Sequence, residues 1–139
     1  MNGNITPFFS VIMPVYNGSF YMREALDSLL AQTFSEWELI IVDDASTDST
    51  PAIIEEYCGK DSRIRTLRNE CNLSPGPSNN RGIEKARGRW MAHLDVDDRY
   101  RPDFLKRLHD FSAPLGEPNL FVTTLVRVID EAGQRVPDL

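Results

Sequence analysis

The stretch Trp37–Asp44, "WELIIVDD", is a short apolar, β-branched run that stops at two acids. Its length and its Ile and Val content read as a buried strand. The polar loop Ala45 to Ser49 follows, and then Thr50-Pro51, a good N-cap followed by a residue suited to the first helical position. Ile53, Ile54, Tyr57 and Cys58 then recur on one helix face. A buried strand feeding a helix through a polar loop is the unit from which parallel sheets are built.

The same unit recurs in both directions. Upstream, Phe8 to Tyr16, "FFSVIMPVY", reads as a buried strand ended by Pro14 and Asn17-Gly18, and a helix pattern follows at Met22, Leu26, Leu29, Leu30 and Thr33. Downstream, Ile64 to Leu67 is a weaker strand leading into "NECNLSPGPSNN", where two prolines and a glycine argue against regular structure. A helix is expected from about Ser78 to Arg87, ending near Gly88, and "RWMAHLD" forms the next strand. Pro102 opens another helix lined by Phe104, Leu105, Leu108 and Phe111. "NLFVTTLVRVID" closes the series as a long strand, turned back at Glu131-Ala132-Gly133 toward Gln134 to Val136.

Strands alternating with helices imply an α/β fold with a mostly parallel, Rossmann-like sheet and helices on both faces. A chain of 139 residues suits one domain spanning residues 1–139, with residues 1–7 expected as a flexible N-terminus. The formal net charge of −6 argues against a nucleic-acid partner, which needs a concentrated basic surface. Cys58 and Cys71 have no zinc-type spacing and no second pair, so reduced thiols in a cytoplasmic protein fit best. No apolar run reaches the ~20 residues of a membrane span. Nothing in the sequence sets an oligomeric state.

In such sheets ligands bind beyond the carboxyl ends of the strands. Three expected strands end there in polar or acidic loops: Tyr16-Asn17, Asp43-Asp44 and Asp95 to Asp98. In extended backbone Asp95 and Asp97 would address a common point while Asp98 turns aside. Two convergent carboxylates suit a hard divalent cation, Mn2+ or Mg2+, whose shell is completed by waters and substrate phosphates. The competing reading is an acidic loop before a helix start. For Asp43 a capping role and a ligand role stand level, whereas Asp44 favours the ligand. No glycine-rich dinucleotide motif, P-loop or G-x-S-x-G elbow is present, which removes the main support for a dinucleotide oxidoreductase, a P-loop NTPase or an α/β-hydrolase. His93 and His109 read as structural.

Four blocks, "SVIMPVYNG", "ELIIVDDASTDST", "NNRGIEKARGRWMAHLDVDD" and "RPDFL", resemble in order and spacing the family 2 glycosyltransferases of GT-A fold. The resemblance runs from about Ser10 to Leu105 and implies a glycosyltransferase domain that binds a nucleotide-diphosphate sugar, a UDP-sugar above all. It implies that Pro14, Val15, Tyr16 and Asn17 flank the base, with Tyr16 stacking on it and Asp44 accepting from its imide N–H. Asp95 and Asp97 match the D-x-D that holds Mn2+ or Mg2+ against the diphosphate, with Val96 between them at the donor. The family's usual Arg-Asn pair reads Asn79-Asn80 here, so Asn79 and its neighbour Arg81 are the donor-binding candidates of that block.

The family's acceptor-binding half, source of the base for an inverting transfer to a glycan, lipid or protein, is expected to be absent. The chain then reads as a truncated domain, and a longer parent could associate with a membrane through its other parts. A non-catalytic nucleotide-sugar-binding or protein-interaction module is the alternative. A sugar-phosphate nucleotidyltransferase ranks last, because "PVYNGSFYMRE" supplies no basic, glycine-rich triphosphate loop.

Overall fold

The computed structural model describes residues 6–115, 129–130 and 132–136. Four strands, β1 (Phe9–Val15), β2 (Trp37–Asp43), β3 (Ile64–Arg68) and β4 (Trp90–His93), form one sheet in the order β3-β2-β1-β4. Every pairing is parallel, with Ser10 opposite Glu38, Ile12 opposite His93 and Ile41 opposite Thr66. The carboxyl ends of these four strands therefore face one edge.

The helices are α1 (Met22–Leu30), α2 (Thr50–Lys60), α3 (Pro75–Glu84) and α4 (Phe104–Ser112). They cover both faces of the sheet, because β1 and β2 alternate apolar side chains up and down. Val11, Met13, Leu39 and Ile41 pack with Met22, Leu26 and Leu29 of α1, Ile53, Ile54 and Tyr57 of α2, and Leu105 of α4. Ile12, Ile40 and Val42 point the other way, toward Ile83 near the end of α3 and Ala86 just beyond it. That helix comes very close to the strands: a Cβ on Gly82 would lie 2.6 Å from Ile12 Cγ2 and 3.2 Å from Val42 Cγ2. Glycine here is a requirement of helix-to-sheet distance.

Several local expectations change: the N-cap of α2 is Ser49, with Thr50 and Pro51 its first two helical residues, and α3 ends at Glu84 rather than Arg87. The "SPGP" segment is the start of α3, not an irregular loop. Its prolines, Pro75 and Pro77, sit in the first turn, where a missing N–H breaks no helical hydrogen bond. β4 ends at His93, before the acids, because Asp98 N–H donates to Asp95 O at 3.0 Å and closes a turn over Val96-Asp97. The α1 pattern stops before Thr33, whose N–H instead donates to Pro102 O at 2.9 Å. Phe111 does not line the core side of α4. It is 61% exposed, while Ser112 takes the buried position.

The long strand expected over 119–130 lies outside the described residues apart from its end. There Ile129 pairs antiparallel with Arg135 and Asp130 N–H donates to Gln134 O at 2.9 Å, a turn in the expected place.

Candidate functional site

Three strand ends and the start of α3 enclose an open cleft of about 280 Å³. Pro14, Val15 and Tyr16 come from the end of β1, Asp44 from the end of β2, and Asp95, Val96 and Asp97 from the turn after β4. Asn72, Pro75 and Ser78, at and before the start of α3, complete the lining.

The loop carrying Tyr16 is stitched to the loop after β2. Asn17 adopts a left-handed conformation, φ 51°, which an Asn tolerates better than most side chains. Its Oδ1 accepts from Thr47 N–H at 2.8 Å and Asp48 N–H at 3.3 Å, while its own N–H donates to Ser46 Oγ at 2.9 Å. Gly18 N–H donates to Thr50 Oγ1 at 3.0 Å, and Asp48 accepts from Ser19 N–H at 3.2 Å and Thr50 N–H at 2.9 Å. Burial pushes the Asp48 carboxyl up, but the donors from Thr50 and Ser19 outweigh it and hold its pKa at about 2. A Cβ at Gly18 would meet Val96 Cγ2 at 2.6 Å, so this loop also seats the turn that bears the acids. Asn17 thus shapes the cleft from behind and is not among its lining residues.

Asp43 and Asp44 face different surroundings. Asp43 Oδ1 accepts from Ser46 N–H at 2.9 Å and its other oxygen pairs with Arg68, which makes it the cap of the turn. Asp44 is 3% exposed and faces the cleft. Its Oδ1 accepts from Leu73 N–H at 2.8 Å and from Asn69 Nδ2 at 2.7 Å. Burial raises its pKa, and hydrogen bonds from Leu73, Asn69, Ser78 and Ser74 lower it further than burial lifts it. Asp44 is therefore ionised at neutral pH and can only accept.

Asp95 and Asp97 lie across the cleft and are exposed. The turn places both on the cleft wall, although the backbone is not the extended one expected. Among the described residues neither forms an ion pair. Asp98 is not in the lining, and its carboxyl is pushed up by burial and by the charges of Asp95 and Asp97. Tyr100 anchors the segment, donating its hydroxyl to His93 O and its N–H to Ser28 Oγ, the latter at 3.0 Å. Unpaired carboxylates that repel a neighbouring acid fit a hard divalent cation. No third His, Cys, Asp or Glu gathers with them among the described residues, so the rest of a shell would be oxygen from water and ligand.

Asn79 and Arg81 are not in the cleft wall. Asn79 Oδ1 is buried without a hydrogen-bond partner, and Arg81 donates to Asn69 Oδ1. Sequence reasoning passed over Asn69, Asn72, Pro75 and Ser78. The signal for Asn69 was its place directly after a strand, the rule that selected Asp44, but β3 is weak in apolar residues. Ser74 N–H donates to Asn72 Oδ1 at 3.0 Å and so belongs to the loop.

Comparison with known proteins agrees with this geometry. The family model for Glycosyl transferase family 2 matches residues 10–134. The chain belongs to that family. It is 40% identical over 108 residues to the putative teichuronic acid biosynthesis glycosyltransferase TuaG of Bacillus subtilis, covering 78% of this chain and 43% of the relative. It is 37% identical over 142 residues to the succinoglycan biosynthesis protein ExoO of Rhizobium meliloti, covering 96% of this chain and 40% of the relative. The chain spans less than half the length of these curated relatives.

Among solved structures, S. aureus TarS in complex with UDP-GlcNAc matches with a TM-score of 0.72 at 37% identity, over 76% of this chain and 31% of that one. The mannosyltransferase PcManGT of Pyrobaculum calidifontis matches with a TM-score of 0.72 at 24% identity, over 77% of this chain and 32% of that one. The fold is the GT-A fold of these glycosyltransferases.

Proposed function

We propose that this chain is the donor-binding part of an inverting glycosyltransferase that takes a UDP-sugar, with Mn2+ or Mg2+ held by Asp95 and Asp97. The observation that carries the reading is the opposition, across one cleft, of a buried ionised carboxylate beside an exposed aromatic ring and two unpaired carboxylates. Asp44 demands a hydrogen-bond donor from its ligand, and the imide N–H of uracil is one. Tyr16, half exposed, offers a face on which the base stacks. Pro14, Val15 and Val96 add apolar surface to the same cleft. TarS, 37% identical, is known in complex with UDP and with UDP-GlcNAc, which supports the same donor class here.

When bound, the divalent cation supplies charge neutralisation to the diphosphate leaving group as the anomeric carbon is attacked. Asp95 and Asp97 would hold the cation on their side of the cleft, and the loop held by Asn17 would present Tyr16 to the base. The names of TuaG and ExoO support a glycan acceptor in the whole protein. The general base of an inverting transfer is assigned to no residue of this chain. Free Cys58 and Cys71 fit a cytoplasmic setting, where nucleotide sugars are consumed, and no helix among the described residues is long and apolar enough to cross a membrane.

Calorimetric titration with UDP, UDP-GlcNAc and CDP, with and without Mn2+, tests the reading. UDP binding that strengthens with Mn2+ and exceeds that of CDP is expected. No UDP binding at millimolar concentration would sink it.

A further inference from the structure

Arg81 is exposed, stands away from the cleft wall and makes no ion pair among the described residues; its hydrogen bond goes to Asn69 Oδ1. Asn69 is 2% exposed, and both ends of its carboxamide are in use. Nδ2 donates to Asp44 Oδ1 at 2.7 Å and to Ser78 Oγ at 2.8 Å, while Oδ1 accepts from Arg81. Turned over, the carboxamide would set its oxygen against the Asp44 carboxylate and its NH2 against a guanidinium. Both contacts repel, so the cation fixes which edge of Asn69 meets Asp44. Leu73 N–H holds the same Asp44 oxygen at 2.8 Å. With Oδ1 pinned by two donors, rotation of the carboxylate is fixed, and with it the direction of the second oxygen.

We propose that Arg81 is a positioning residue for base selection: it orients Asn69, Asn69 orients Asp44, and Asp44 then selects a base carrying an imide N–H. This rests on the donor-site reading above. It differs from a direct donor contact in what it predicts. A guanidinium touching phosphate would aid every nucleoside diphosphate alike and be blind to the base. One acting through Asn69 aids uracil over cytosine, whose ring nitrogen at the same position is bare, and aids uridine as much as UDP.

The test is titration of the chain, followed by NMR or calorimetry, with UDP and CDP at fixed Mn2+ and with uridine alone. Wild type is expected to prefer UDP over CDP. Arg81→Met is expected to lower that preference by about tenfold and to weaken uridine by a similar factor. Arg81→Lys, whose ammonium can still donate to Asn69 Oδ1, is expected to restore most of it. Asn69→Asp, which sets a second carboxylate against Asp44, is expected to abolish the preference at neutral pH. If that buried replacement fails to fold, the exposed Arg81 variants carry the test.

An unchanged UDP-to-CDP ratio in Arg81→Met overturns the proposal, as does an equal loss of UDP and CDP that spares uridine. A wild-type chain that binds both diphosphates without preference instead overturns the base reading of Asp44, and this inference with it.

Discussion

Glu38 and Arg87, 49 positions apart, are joined by the backbone as well as the side chain: Arg87 N–H donates to Glu38 Oε1 at 2.7 Å, and its Nε and Nη2 donate to Oε2 at 3.0 and 2.8 Å. Ser10 Oγ donates to the same carboxylate at 2.7 Å, and Arg65 Nη2 does so at 2.8 Å. The connection between α3 and β4 is thereby clamped to β1, β2 and β3 at the end of the sheet remote from the cleft.

Replacing Glu38 with Ala would leave the Ser10 hydroxyl and the Arg87 guanidinium without their carboxylate and the Arg87 N–H with only its longer contact to Ser10 Oγ, at 3.2 Å, and a loss of about 2–4 kcal/mol is expected in urea unfolding. Burial raises the Glu38 carboxyl, but Ser10, Arg87 and Arg65 together hold it below its ordinary value. Because the folded value lies below the unfolded one, this contribution is present above the unfolded pKa and fades as pH falls through the folded one. Glu38→Gln should therefore be less stable than wild type at pH 7 and show a flatter acid limb. An unchanged acid limb would remove Glu38 from the account.

Gly82→Ala places a methyl 2.6 Å from Ile12 Cγ2, a branch of a stiff, fully buried side chain. α3 must then lift from the sheet, at a cost of about 1–3 kcal/mol. Thermal melting reads the loss, and a variant as stable as wild type would mean that the helix has room.

Tyr16→Ala removes a half-exposed ring and should leave the melting temperature within error while weakening UDP by about 1–3 kcal/mol. Asn17→Ala should do both kinds of damage. It removes the acceptor for the Thr47 and Asp48 N–H groups and puts a less tolerant residue at φ 51°, so about 1–2 kcal/mol of stability goes with the donor affinity. If the two variants melt alike, the loop is not built on Asn17.

Asp97→Ala relieves repulsion among Asp95, Asp97 and Asp98. A gain of a few tenths of a kcal/mol is expected without metal, together with loss of the Mn2+-dependent part of UDP binding. Melting curves with and without Mn2+ distinguish this from a carboxylate that serves only the turn, whose removal would lower stability in both.

Much of this arrangement is legible in the residues. Apolar runs ending in polar or acidic residues mark β1, β2 and β4, and the parallel alternation brings Tyr16, Asp44, Asp95 and Asp97 to one edge. What escapes is the work of polar side chains on the backbone. Asn17 has the composition of a ligand and acts as a clamp, because its partners lie in a loop about thirty residues away. The prolines of "SPGP" look like breakers, yet their position relative to the helix start decides their effect, and a helix start is set by tertiary packing as much as by propensity. Asn69 is invisible for a similar reason. Its worth depends on Arg81 and Asp44 arriving from other elements.

The proline-bearing first turn of α3 has a further consequence. Helix starts ordinarily attract anions through free N–H groups. Here Pro75 and Pro77 have none and Ser74 N–H is committed to Asn72 and the Asp44 carboxylate, which leaves Gly76 as the uncommitted donor among the four. The wall beside Pro75 and Ser78 is thus electrically muted, and the wall opposite is acidic. On the donor-site reading proposed above, a diphosphate without its cation finds little at either wall to neutralise its charge. If that reading holds, the expected order of assembly is cation first and nucleotide second, and donor binding should follow the metal concentration.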